Sequence, residues 1–156
     1  MDLMPLVLVA PIFLWGAWSD LRRMRIPNAV SIIAVAVFVA TAVVAPPEDL
    51  GLRVAAAAAV FALGFVTYLF GLFGGGDVKM LSALVLFVPV PTLALFAYVF
   101  SAAMLAGIAM VLLLRRVPAA QRLGWKSISG STGFPMGLSI AMAGLAHPAA
   151  ATLLGV

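Results

Sequence analysis

The sequence predicts an all-α protein that crosses a membrane about six times. The first observation is composition, because 65% of the 156 residues are apolar and only 9% are charged, whereas a soluble domain has roughly 25% charged residues. Nine Lys or Arg and five Asp or Glu cannot cover the surface of a soluble globule. This excludes a soluble enzyme, a disordered chain and a nucleic-acid-binding protein, and it makes membrane lipids the surroundings of the chain. One domain over residues 1–156 is expected at this length.

The second observation is that the charges divide the chain into long uncharged stretches. A spanning helix needs about 20 apolar residues, and the first three stretches each fit one helix. The stretch 80–114 is too long for one helix and contains Pro89-Val90-Pro91, which favours a break, so we divide it in two. The last stretch is continuously apolar only from Phe134. The predicted segments are 3–18, 28–45, 53–73, 78–89, 92–114 and 134–153.

The basic residues support this division, because cytoplasmic loops collect Lys and Arg. With six crossings, all nine basic residues except Arg53 fall on one side of the membrane. A single crossing for residues 80–114 would place Arg115 and Arg116 opposite Arg22 and destroy the asymmetry. We therefore expect both termini to lie outside the cytoplasm. The largest loop, residues 115–133, is expected to lie along the inner membrane surface.

The fourth segment is too short to cross a bilayer alone. Residues 78–89 would form a helix about 18 Å long, whereas the hydrocarbon core is about 30 Å thick. The preceding Gly74-Gly75-Gly76-Asp77 is a poor helix former, and we expect a non-helical loop that dips into the bilayer from the cytoplasmic side. Such backbone must be buried in protein or face a water-filled cavity. The sequence therefore predicts a hydrated cavity beside Asp77.

Two of the five acidic residues are candidate catalytic groups. Asp2 lies at the terminus, and Glu48 and Asp49 lie in a predicted external turn. Asp20 and Asp77 lie at the cytoplasmic ends of hydrophobic segments, and therefore on one side of the membrane. Acidic groups within membranes are costly and mark functional sites.

Two neighbouring carboxyls can perform aspartyl protease chemistry. One of them, ionised, removes a proton from water, while the other, protonated, polarises the scissile carbonyl. The residues alone leave alternatives open: Asp20 could be an ion-paired loop residue, and Asp77 could cap a helix. The pair could also relay protons or bind a cation in a small transporter, and an assembly scaffold without chemistry is a third hypothesis.

The residues around both aspartates resemble the motifs of the type IV prepilin peptidases. Asp20-Leu21-Arg22-Arg23-Met24-Arg25-Ile26-Pro27-Asn28 is similar to their first motif, an Asp followed by a basic stretch and Ile-Pro-Asn. Gly74-Gly75-Gly76-Asp77-Val78-Lys79 is similar to their second motif, G-x-G-D-V-K, which is typical of GxGD intramembrane aspartyl peptidases. Phe134-Pro135-Met136-Gly137 is similar to the start of their last helix. The resemblance extends from Asp20 to Gly144.

The resemblance implies a membrane aspartyl endopeptidase with Asp20 and Asp77 as its catalytic pair and without a metal or other cofactor. The implied substrate is a prepilin-like protein whose basic leader is removed after a Gly, at the cytoplasmic face of a prokaryotic inner membrane, while its apolar helix stays in the bilayer. Gly74, Gly75 and Gly76 would shape the approach of the substrate. Lys79 would contact the substrate or tune Asp77.

Departures from the larger relatives limit what the resemblance implies. Bifunctional members carry a cytoplasmic insert with two Cys pairs and also methylate the new N-terminus. This chain has no cysteine and a short first cytoplasmic loop, so methyltransferase activity is not expected. It looks like the compact branch that serves Flp or tight-adherence pili. His147, the only histidine, is expected at the membrane interface near the outer end of the last helix.

Overall fold

The computed structural model describes residues 4–129 and 133–155, and all regular structure within them is helical. Asp2 and the first residue of the predicted segment 3–18 lie outside the described residues. The main helices are α1 (Met4–Arg23), α2 (Asn28–Val44), α3 (Leu50–Leu69), α4 (Gly75–Val85), α5 (Leu93–Arg116), α6 (Pro118–Gln121), α7 (Lys126–Ser129) and α8 (Met136–Leu154), with a 3-10 turn at Val90–Thr92.

Four helices are long and apolar enough to cross a membrane, namely α1, α3, α8 and α5 with the turn before it. Helix α2 is apolar but has 17 residues, and α4 has 11 residues, which corresponds to about 16 Å. The prediction of an all-α membrane protein is therefore confirmed. The count of six crossings stays a prediction, because α2 and α4 are shorter than a membrane span.

Hydrogen bonds between helix ends divide the bundle into two ends. At one end, Gly137 at the start of α8 bonds to Asp20 near the end of α1, and Lys79 of α4 bonds to Asn28 at the start of α2. At the other end, Arg53 in the first turn of α3 bonds to the segment that follows α4. All Lys and Arg except Arg53 lie in the helix ends and loops of the first end, which we call the basic end.

Helices α1, α4 and α8 form the centre of the bundle. Their inward side chains are fully buried, and half of the span in α8 is buried against 11% of the span in α3. Large apolar side chains on α3 and α5 are exposed instead. Apolar faces of this kind are compatible with lipid rather than with water. His147 is also buried at 0% exposure and hydrogen-bonds Thr92, so its expected interfacial position is wrong.

Helix α4 begins earlier than the sequence predicts. Gly74 is its N-cap, and Gly75, Gly76 and Asp77 form its first turn, so the expected non-helical loop over 74–77 is wrong. Packing overrides the poor helix propensity of glycine here: a Cβ on Gly76 would lie 3.1 Å from the Cβ of Ile26. A residue without a side chain is what lets α4 approach the α1–α2 loop this closely.

The length that α4 lacks is supplied at its other end by the buried segment Leu86–Thr92. Buried backbone there needs partners, and two α3 residues supply them: Asp49 accepts a hydrogen bond from the Val90 N–H at 2.9 Å, and Arg53 donates to the Phe87 carbonyl at 3.4 Å. Asp49 and Arg53 also pair at 2.6 Å. Burial alone would raise the pKa of Asp49, but the Val90 and Arg53 hydrogen bonds lower the pKa below its ordinary value.

Candidate active site

Asp20 lies in the last turn of α1 and is buried, with 5% of its surface exposed. Its Oδ2 accepts a hydrogen bond from the Gly137 N–H at 2.8 Å. Gly137 is in the first turn of α8, where backbone N–H groups have no partner within the helix and the helix dipole favours negative charge. No basic side chain within the described residues forms an ion pair with Asp20, which argues against the ion-paired loop interpretation.

The glycine at position 137 is what allows this contact. A Cβ there would lie 3.0 Å from Asp20 Oδ2 and 2.9 Å from Ile26 Cδ1. Both distances are too short for an ordinary carbon contact. A side chain at this position would therefore separate α8 from Asp20.

Asp77 is half-buried in the first turn of α4. Its carboxyl folds back over the N-cap and takes a hydrogen bond from the Gly74 backbone, an arrangement that acidic residues adopt at the third helical position. A Cβ on Gly74 would lie 2.6 Å from Asp77 Oδ2. Asp77 is therefore not the N-cap itself, although it contributes to capping.

The structure brings the two aspartates to the same end of the bundle. Asp20 and Asp77 lie on two different helices, and their charges interact electrostatically. Ile26 lies between the two carboxyl-bearing regions, because it packs against Gly76 of α4 and Gly137 of α8. The α1–α2 loop thus contacts both sides of the site.

Lys79 faces away from the aspartates in its printed contacts. Its Nζ donates a hydrogen bond to Asn28 Oδ1 at 3.1 Å, and both side chains are exposed. This contact joins the last residue of the first sequence motif to the last residue of the second. It ties the start of α2 to α4.

The three glycines before Asp77 all contact the protein itself. Gly74 lies against the Asp77 carboxyl, Gly75 faces the Tyr68 ring at 3.4 Å from its ideal Cβ position, and Gly76 faces Ile26. A role of these glycines in binding an extended substrate stays a prediction. Their role in close packing is visible in the structure.

A cavity of about 190 Å³ borders Asp77 between α3, α4 and the start of α8. Thr67 and Asp77 are its only polar side chains among the residues that line it. The cavity expected from the sequence was hydrated, whereas this one is apolar in character. Its lining residues are Val60, Leu63, Gly64, Thr67, Phe73, Asp77, Val78, Leu81 and Met136.

Sequence reasoning missed the support that α7 gives to the end of α1. The buried Ser127 hydroxyl donates to the Leu21 carbonyl, one residue after Asp20, and Trp125 packs edge-to-face on Trp18 at 5.0 Å. Arg115 donates to the Ser127 carbonyl at 2.9 Å. The sequence carries no periodic pattern that links residues this far apart. Among the described residues, no group of three or more His, Asp or Glu could hold a metal ion.

Comparison with known families was made with the whole chain. The family model described as the type IV leader peptidase family matches residues 7–113. The matched range includes Asp20 and Asp77 and ends before α8. No curated protein and no solved structure matches the chain.

Proposed function

Because the chain belongs to the type IV leader peptidase family, we propose that it is an aspartyl endopeptidase in which Asp20 and Asp77 are the catalytic residues. The observation that carries this proposal is the meeting of two carboxyls from α1 and α4 at the basic end of the bundle, close enough for their charges to interact. No other two acidic side chains of the described residues share a helix-enclosed site in this way.

In the proposed reaction, a water molecule attacks the carbonyl carbon of the scissile amide. The ionised carboxyl accepts the proton of the water, while the protonated carboxyl donates its proton to the carbonyl oxygen. The tetrahedral intermediate then collapses, and the amide nitrogen leaves with a proton from the first carboxyl. The Gly137 N–H holds Asp20 through one oxygen, which leaves the other oxygen available for this proton transfer.

The proposed substrate is a prepilin-like protein with a short basic leader and an apolar helix, cut after a Gly. Two features support the site of cleavage. The aspartates lie at the basic end, and Lys- and Arg-rich ends face the cytoplasm in multi-pass proteins. We therefore propose that the active site opens to the cytoplasm of a prokaryotic inner membrane, with both termini on the other side.

The same proposal excludes N-methylation and names the pilus class. The α1–α2 loop is four residues long between Arg23 and Asn28, and the chain has no cysteine, so the insert of the bifunctional members has no counterpart. We propose a compact leader peptidase that serves Flp or tight-adherence pili. Gly74, Gly75, Gly76 and Lys79 are proposed to border the path of the substrate.

The test is leader removal in cells that co-express the chain with a candidate prepilin. Asp20→Asn and Asp77→Asn should each abolish the shortening of the precursor, because loss of a general acid or base costs about 100- to 10,000-fold in rate. Glu48→Gln is the matched control, since it neutralises an exposed carboxyl at the opposite end of the bundle. Normal shortening in both Asn variants would overturn the proposal. Aspartate-dependent ion flux in liposomes without shortening would favour the transporter instead.

A further inference from the structure

The largest cavity of the described structure lies at the end of the bundle opposite the aspartates. It measures about 530 Å³ and lies between the start of α1, the end of α2, the start of α3 and the segment after α4. Nothing in the proposed peptidase chemistry uses this cavity. We call it the Arg53 cavity, because Arg53 is its one basic lining residue.

Arg53 is buried, with 7% of its surface exposed, and it keeps unused hydrogen-bond donors. Its Nε donates to Asp49, and its Nη1 donates to the Phe87 carbonyl. Within the described residues, no hydrogen bond uses Nη2. A guanidinium stays charged in proteins and has five N–H donors, and a buried donor without a partner is costly. The Arg53 cavity therefore favours an occupant that has a hydrogen-bond acceptor.

The other lining groups do not compete for this acceptor. Five of the lining residues are prolines, which have no N–H. The Thr41 hydroxyl donates to carbonyls of its own helix. Phe38 and Phe87 add aromatic surface. The occupant that fits carries an acceptor joined to an apolar part.

A phospholipid has this chemistry and is present wherever the ends of membrane-spanning helices meet the interface. The charges of the cavity then select the headgroup. Arg53 and Asp49 neutralise each other, and the exposed Glu48 leaves one net negative charge. An anionic headgroup would be repelled, whereas an ammonium group would be attracted.

We infer that the Arg53 cavity binds the headgroup of a zwitterionic aminophospholipid, with its phosphate on Arg53 Nη2 and its ammonium beside Glu48. The inference is independent of the peptidase proposal. The Arg53–Asp49 pair has two functions in this account: it satisfies the backbone after α4, and it provides the phosphate ligand.

The experiment uses the purified full-length chain, stripped of lipid in detergent. Native mass spectrometry counts bound phosphatidylethanolamine or phosphatidylglycerol, and thermal unfolding measures the stabilisation that each lipid provides. We expect one tightly bound phosphatidylethanolamine and a raised Tm, with weaker binding of phosphatidylglycerol. Equal binding of both lipids, a preference for phosphatidylglycerol, or no lipid-dependent stabilisation would overturn the inference.

Two variants separate cavity binding from general lipid contact. Ala42→Phe fills the cavity and should remove the bound phosphatidylethanolamine, whereas Ala40→Phe, at an exposed position of the same helix, should keep it. Glu48→Gln should lower the preference for phosphatidylethanolamine over phosphatidylglycerol by about two- to fivefold, the worth of one exposed ion pair. Because Glu48 is exposed, this second variant keeps the test decisive if Ala42→Phe fails to fold. An unchanged preference in Glu48→Gln, or retained lipid in a folded Ala42→Phe, would contradict the inference.

Discussion

Replacing Gly137 with Ala tests whether α8 positions the catalytic Asp20. The new Cβ would lie 3.0 Å from Asp20 Oδ2 and 2.9 Å from Ile26 Cδ1, so the carboxyl must move and its 2.8 Å hydrogen bond from the backbone must weaken. A hydrogen bond to a charged group contributes about 1.5–3 kcal/mol. If this contribution is lost from the transition state, kcat should fall about 10- to 150-fold.

The matched control for this variant is Gly144→Ala on the same helix. Its Cβ would lie 2.9 Å from Leu84 Cδ1, so it crowds the core to a similar degree and touches no aspartate. Both variants should lose stability by about 1–3 kcal/mol, measured by thermal unfolding in detergent. Only Gly137→Ala should lose kcat on a purified prepilin in proteoliposomes. Equal kcat losses in the two variants, or an unchanged kcat in Gly137→Ala, would refute the positioning argument.

Three further predictions concern the rest of the bundle. Lys79→Met and Asn28→Ala should each lower kcat less than tenfold, and the double variant should lose no more than the larger single effect, because the two side chains bond to each other; additive losses in steady-state kinetics would contradict this. Phe87→Ala should cost about 3–5 kcal/mol, since this ring is 1% exposed between Phe13 and Phe38, and a shift in Tm smaller than that of an exposed α3 variant such as Leu63→Ala would show the core to be misassigned. The pKa of Asp49 is lowered in the fold, so its carboxylate stabilises the fold above its unfolded pKa of about 3.9 and loses this effect as the pH falls below that value; Tm should therefore fall less on acidification in Asp49→Asn than in the wild type, and parallel pH profiles would oppose this.

Much of the fold could be predicted because hydrophobic length and charge placement are local properties. The predicted segments 28–45 and 92–114 correspond closely to α2 and α5, and the family inferred from the motifs is confirmed by the match over residues 7–113. The start of α4 could not be predicted from propensity, because the helix depends on the packing of Gly76 against Ile26. That contact joins residues far apart in the chain.

The site shows the same division between local and distant information. The two aspartates could be selected because acidic groups are rare in this chain. The Gly137 N–H that holds Asp20 is a backbone group, and no side-chain pattern reveals a backbone contact between α1 and α8. The Asp49–Arg53 pair was readable, since the residues are four apart at the start of a helix, but Asp49 was set aside as a residue of an external turn.

The central claim is that Asp20 and Asp77 act together on one amide bond. A double-mutant cycle in purified proteoliposomes tests this claim most directly, with kcat measured for Asp20→Asn, Asp77→Asn and the variant that carries both. Residues that act as one catalytic unit are strongly non-additive, so all three variants should show the same residual rate. A double variant whose loss equals the product of the two single losses, or a single variant with wild-type kcat, would contradict the claim.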